Sequence, residues 1–296
     1  MDSYVRMLTK GDEGRLDFFL APHTPFAYFM RSNCRRAGLH YQNEPYQADY
    51  FGSFTQGRLV GLLAHSWLGS VQVFSQDNAF VPELANKWRD YLAKNPREVT
   101  CFLGPADQVG VLLSVLDIHP PALRGGAEEE GLFALPLKNL VVPDSLTQPD
   151  VNVRRAQSGD IEILAAWRHD FGVEALGEPA GDEPYNKGHA EMTRRVAEGD
   201  LFVLEHREHL VSFCGVGGFL SDWKSVGPVW TPPEKRGRGF ARAVVAGALQ
   251  MLRKERLVNA VLFAQKEEAV RTYRSIGFDR IGDWRLGFLA NPVSSL

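Results

Sequence analysis

Val229-Trp230-Thr231-Pro232-Pro233-Glu234-Lys235-Arg236-Gly237-Arg238-Gly239-Phe240-Ala241 is the stretch that decides how this chain folds. Residues 229–231 read as the end of a strand, and two prolines stop it, since neither can donate to a sheet ladder. A basic, glycine-rich turn follows, and a helix begins at or near Gly239. Apolar residues recur at Ala241, Val244, Val245, Ala248, Leu249 and Leu252, the one-face spacing of an α-helix. Strand, glycine turn and helix start together make an anion site. The first N–H groups of a helix have no internal partner, and the helix dipole favours negative charge there. Gly237 and Gly239 let the backbone approach a phosphate, and Arg236 and Arg238 add charge-assisted donors.

Three phosphate-binding motifs produce such a turn, and a plain surface turn with solubilising arginines is the bland alternative. A P-loop needs Gly, four residues and then Gly-Lys-Ser/Thr, and no such run exists. A dinucleotide fingerprint needs a third glycine where Arg242 stands. The third form, R-x-x-G-x-A, is met by Arg236, Gly239 and Ala241. Here the sequence resembles the GCN5-related N-acetyltransferase (GNAT) superfamily, more narrowly its FR47-like branch, whose V-x-T-P-P-E-x-R-G-x-G-x-A run it matches. The resemblance continues beyond the helix. A short apolar strand over 260–264 leads to Ala269, Tyr273 and Gly277-Phe278, the A-x-x-x-Y-x-x-x-G-F pattern of that superfamily. One departure is visible: an asparagine often found three residues before that alanine is Lys266.

Composition sets the frame. The chain has 296 residues, 44% hydrophobic and 23% charged, which suits two globular domains. A net charge of −3 implies no general affinity for nucleic acid or anionic membranes. Cys34, Cys101 and Cys214 show no metal spacing and no disulfide framework. With no signal-peptide core near the start and no apolar run of the roughly 20 residues needed to span a bilayer, the expectation is a cytoplasmic protein.

Along the chain, helical pieces near 16–20 and 26–30 precede a hairpin of strands at 50–54 and 59–64. A strand over 70–75, a helix over 81–94, a strand over 99–103, a helix over 107–116 and a strand over 132–137 follow, with a solvated turn at 125–130. This order parallels a GNAT domain. Yet the place for a phosphate loop reads Gln76-Asp77-Asn78-Ala79-Phe80, with neither glycine nor arginine and with an acid where phosphates would sit. Residues 1–145 are therefore expected to be a degenerate GNAT-like domain, 143–150 a linker and 151–296 the cofactor-binding domain. In the latter, strands are expected at 151–155, 201–205, 210–217 and 224–231. Helices are expected from 161 and over 189–198, with 177–187 a loop. The expected fold is mixed α/β, tandem GNAT-like domains each with a partly splayed sheet flanked by helices.

The resemblance implies direct acyl transfer from acetyl-CoA to a primary amine of a small molecule or protein, with no metal. Pantetheine would run along the strand at 228–230, with Val229, Trp230 and Thr231 among the cofactor-binding residues, and the pyrophosphate would sit on residues 237–241, including Phe240. Lys266 and Ala269 would flank the cofactor arm. An N–H near Val229 would face the oxyanion. Tyr273, a phenol of pKa ~10, would serve the departing thiolate. Candidates for the base are Glu174, in the region that usually lines the acceptor site, with Glu205 and Asp222 as alternatives. Two other readings stay open: a non-catalytic acetyl-CoA sensor, and an acyltransferase for longer acyl groups.

Overall fold

The computed structural model describes residues 3–124 and 129–294, so 125–128 of the turn expected at 125–130 lie outside the described residues, while 129 and 130 open a strand. The chain forms two compact units, Met1–Leu132 with Ile281–Leu296, and Phe133–Arg280. The sequence places 133–145 with the first unit and 281–296 with the second. Contacts in the folded chain group these two segments the other way.

The first unit contains β1 (Ser3–Met7), α1 (Glu13–Leu20), α2 (Thr24–Ala37), β2 (Ala48–Thr55), β3 (Arg58–Ser66), β4 (Ser70–Ser75), α3 (Val81–Lys94), β5 (Val99–Pro105) and α4 (Ala106–Val115). The last strand of the chain, β12 (Asp279–Val293), completes its sheet in the order β1-β2-β3-β4-β5-β12. Neighbours run antiparallel except β4 and β5, which are parallel over Ser70↔Cys101, Val71↔Phe102 and Gln72↔Leu103. Trp88, Phe102, Leu63 and Val73 centre one apolar cluster, with α3 and α4 closing over it.

In the second unit, β6 (Glu129–Pro136) contributes its latter half. It is followed by β7 (Val151–Arg155), α5 (Ile161–Leu176), α6 (Asp182–Glu198), β8 (Leu201–His206), β9 (His209–Gly217), β10 (Trp223–Trp230), α7 (Phe240–Lys254), β11 (Asn259–Ala264) and α8 (Glu267–Arg274). The strand order is β6-β11-β10-β9-β8-β7. β10 and β11 are parallel, over Trp223↔Asn259, Lys224↔Ala260 and Ser225↔Val261. The apolar stripe of α7, with Val244, Val245, Ala248 and Leu249 buried, packs in one cluster with Phe202, Cys214 and Leu262. Leu164, Trp167, Met192, Phe213 and Trp230 form another.

Two details differ from expectation. α6 starts at Asp182, inside the stretch read as loop. Asp182 and Glu183 favour a helix N-terminus, and Pro184 is tolerated in a first turn. β1 and β12 give little periodic signal, and β12 exists because β5 offers it a ladder. A repeat also emerges that composition hides. Arg6 ion-pairs Asp12 at 2.7 Å and Thr9 N–H donates to the same carboxylate at 3.0 Å. Arg154 ion-pairs Asp160 at 2.7 Å, and Gln157 N–H donates to it at 2.7 Å. Both stretches read R-x-x-x-x-G-D.

Candidate active site

β10 is a central strand that is unusually open. Only Val226 and Trp230 of it are buried. Its register with β9 shifts between Val226 and Val229, a bulge that leaves Val229 opposite Cys214 and Trp230 opposite Phe213. On its other side, pairing with β11 ends at Ser225↔Val261. From Val226 onward the edge facing β11 has no ladder partner, and backbone N–H and C=O groups there need one. Arg195 of α6 braces the bulge, its guanidinium donating to the carbonyls of Val216 and Gly227 at 3.4 Å. Glu191 holds Arg195 at 2.9 Å and Arg168 at 2.8 Å. Burial pushes the Glu191 carboxyl up, but the two guanidinium groups outweigh it and hold it below its ordinary value.

The strand ends in a pinned loop. Ser212 Oγ donates to Trp230 O at 2.8 Å and shares a hydrogen bond with Thr231 Oγ1 at 2.9 Å. Lys235 Nζ donates to Leu210 O at 2.8 Å. Gly237 and Gly239 then take φ of 76° and 78°, a left-handed geometry that side chains disfavour. Gly239 is the N-cap of α7 and its carbonyl accepts from Ala243 N–H at 3.0 Å. Residues 237–239 are exposed, and the first N–H groups of α7 have no acceptor within the helix. Arg238 lies over the Phe240 ring at 4.8 Å. Arg242, noticed in the sequence only as a missing glycine, has a guanidinium nitrogen 3.7 Å from where a Gly239 Cβ would stand. Its signal was position: an exposed cation three residues into the helix.

Arg236 is placed differently from a free phosphate ligand. Its Nε donates to Thr231 O at 2.9 Å, and its two terminal nitrogens hold Glu174 at 3.0 and 2.9 Å. The guanidinium also stacks over Trp230, 4.6 Å from the ring centroid. Lys266, at the N-cap of α8, lies 3.4 Å from Glu174. The Arg236 hydrogen bonds hold the Glu174 carboxyl below its ordinary range, with Lys266 adding to the effect. Both oxygens are occupied, so the geometry gives Glu174 an ion pair where the sequence suggested a base.

Across the gap, Ala269 and Tyr273 of α8 pack against the α7 core. The Tyr273 ring meets Phe278 edge-on at 6.1 Å. Burial pushes its phenol up, and the Cys214 thiol adds to the shift. Val229, Cys214 and Tyr273 thus belong to one cluster at the open edge of β10. The alternative bases lie elsewhere. Glu205 on β8 is held by Arg154 and Asn152, and the Asp222 carbonyl accepts from Val258 and Asn259 at the opposite end of β10. Among the described residues no group of histidine, cysteine and acidic side chains could hold a metal ion.

The first unit repeats the parallel pair that parts after three residue pairs, but fills the gap. Gln108, in the first turn of α4, accepts from Ser75 N–H at 2.8 Å and donates to Ser75 O at 2.7 Å. Gln108 is buried, and so is β4 from Val71 to its end. Asp77 accepts from Ala79 N–H at 2.9 Å, so its carboxylate caps the turn a phosphate loop would occupy.

Comparison with known proteins finds one family model and solved structures of similar fold. Residues 177–286 match the acetyltransferase (GNAT) domain family. That match lies mostly within the second unit and supports an acyltransferase enzyme. A GCN5-related N-acetyltransferase from Sphaerobacter thermophilus superposes with a TM-score of 0.60 at 12% identity, covering 99% of this chain and 98% of its own. A tandem GNAT protein from the clavulanic acid biosynthesis pathway gives 0.57 at 14%, covering 97% and 98%. A GCN5-related glucosamine N-acetyltransferase region within a fungal multi-domain GH3 β-N-acetylglucosaminidase gives 0.57 at 13%, covering 97% of this chain. This chain spans 38% of the length of that fungal structure. At such identities the likeness is one of fold. No curated protein matches the sequence. Among the described residues no helix is long and apolar enough to cross a membrane.

Proposed function

We propose that the second unit transfers an acetyl group from acetyl-CoA to a primary amine, with one cofactor per chain, and that the first unit is a degenerate copy. The observation that carries this is the open edge of β10, a strand that leads into a glycine-built helix start and shares an apolar cluster with the Tyr273 ring. The edge of 226–230 that faces β11 without a ladder partner suits the amides of pantetheine, and the N–H groups of 237–241 suit a pyrophosphate, with Arg238 and Arg242 as cations. The run through 229–241 favours the FR47-like branch.

When bound, acetyl-CoA supplies the acyl group. The amine nitrogen forms the new C–N bond, the C–S bond breaks, and the amine proton leaves to solvent. An N–H near Val229 stabilises the charge developing on the acyl oxygen. Tyr273 serves the sulfur. With its phenol raised above ~10 and a thiol near ~8.5, full transfer to the thiolate is uphill, so Tyr273 acts by donating a hydrogen bond. Screening amines, polyamines, amino acids, aminoglycosides and peptides for release of CoA thiol tests the reading. If CoA binds but no amine accelerates thiol release, the transferase reading fails.

A further inference from the structure

We propose that Glu174 is a built-in counter-anion of the cofactor loop, holding Arg236 and Lys266 until cofactor phosphates take those two cations from it. The inference rests on acetyl-CoA binding at the second unit. Arg236 follows β10 and Lys266 precedes α8, so a single carboxylate from α5 bridges the two elements that diverge around the open edge. All three Arg236 nitrogen groups are spent on protein acceptors: Thr231 O and the two Glu174 oxygens. Glu174 also breaks a local rule. It sits near the C-terminal end of α5, where the helix dipole is negative and the last turn carries no basic residue. A carboxylate there is disfavoured by its own helix and is held by cations from elsewhere, the pattern of a residue kept for function. Next to a site for several negative charges, its single charge lowers affinity, and neutralising it raises affinity.

Calorimetry needs no acceptor. CoA and pantetheine, which lacks the phosphates, are titrated into the wild type, Glu174→Gln and Glu174→Ala, each checked for folding by circular dichroism. Both variants are expected to bind CoA about three- to tenfold more tightly at low salt. The gain should shrink as salt screens it, with pantetheine affinity unchanged. Equal or weaker CoA binding by folded variants overturns the proposal, since Glu174 would then be inert or would position Arg236 for the cofactor. A gain shared by pantetheine also overturns it, because the effect would not act on phosphates. A wild type that binds no CoA instead removes the cofactor site itself.

Discussion

Tyr273, packed in one cluster with Val229, and Gly239, the N-cap of α7, each carry their own test. Tyr273→Phe removes a hydroxyl and keeps the ring packed on Phe278. It is expected to lower kcat by about 10²-fold, the low end for losing one hydrogen-bond donor to developing charge, with KM for acetyl-CoA little changed. Equal losses in kcat and kcat/KM would mark an interaction made only in the transition state. A variant with wild-type kcat and altered thermal stability would make Tyr273 a packing residue. Gly239→Asp places a side chain at a φ of 78° and a negative charge at the helix start. CoA binding should be lost in the folded variant, and unchanged affinity by calorimetry would move the phosphate site elsewhere.

The decisive element occurs twice, a parallel strand pair that parts after three residue pairs. In the second unit β10 is left half-exposed, whereas in the first β4 is buried with the Gln108 amide bonded to both backbone groups of Ser75. A side-chain amide thus occupies the position where a ligand amide would bond. The expected stoichiometry is one CoA per chain, and two equivalent sites in a saturating titration would refute it. Gln108→Leu should leave Ser75 N–H and C=O unpaired. The cost is expected to be about 1–3 kcal/mol, seen as a lower unfolding midpoint and faster exchange of the Ser75 amide.

At the scale of the molecule, the first unit should show its own acid sensitivity. His65 is buried, its Nε2–H donating to Glu98 O at 2.9 Å while Nδ1 accepts from Trp88 Nε1–H at 3.3 Å. The bond from Trp88 requires the neutral ring, because a protonated Nδ1 cannot accept, whereas the bond to Glu98 O is made in either state. Burial, aided by the Arg97 charge, lowers its pKa to about 4. Its folded value is depressed, so its contribution is complete above the unfolded value near ~6.5 and is lost as pH falls towards 4. Urea unfolding followed by tryptophan fluorescence should show a slope of about one proton across that window. His65→Gln should flatten it, and an unchanged slope would assign the proton to another group. Asp12, held at about 2 chiefly by its hydrogen bond from Arg6, acts only at lower pH.

The sequence by itself determined the elements that follow local rules. The strand, glycine turn and helix around 229–241 were legible because prolines, glycines and a 3.6-residue apolar period act within a few residues. β4, α3 and β7 were legible for the same reason. Asp77 was legible as an acid that opposes an anion, and in the folded chain it accepts from Ala79 N–H. Only the tertiary structure decided what depends on distant partners. β1 and β12 take their order from the strands they pair with. Gln108 acquires its meaning from Ser75, 33 residues away. Glu174 is 62 residues from Arg236 and 92 from Lys266, and no local pattern announces that pair of cations. A carboxylate reads in sequence as a base or a solvated charge, and which partners surround it is settled when the elements pack.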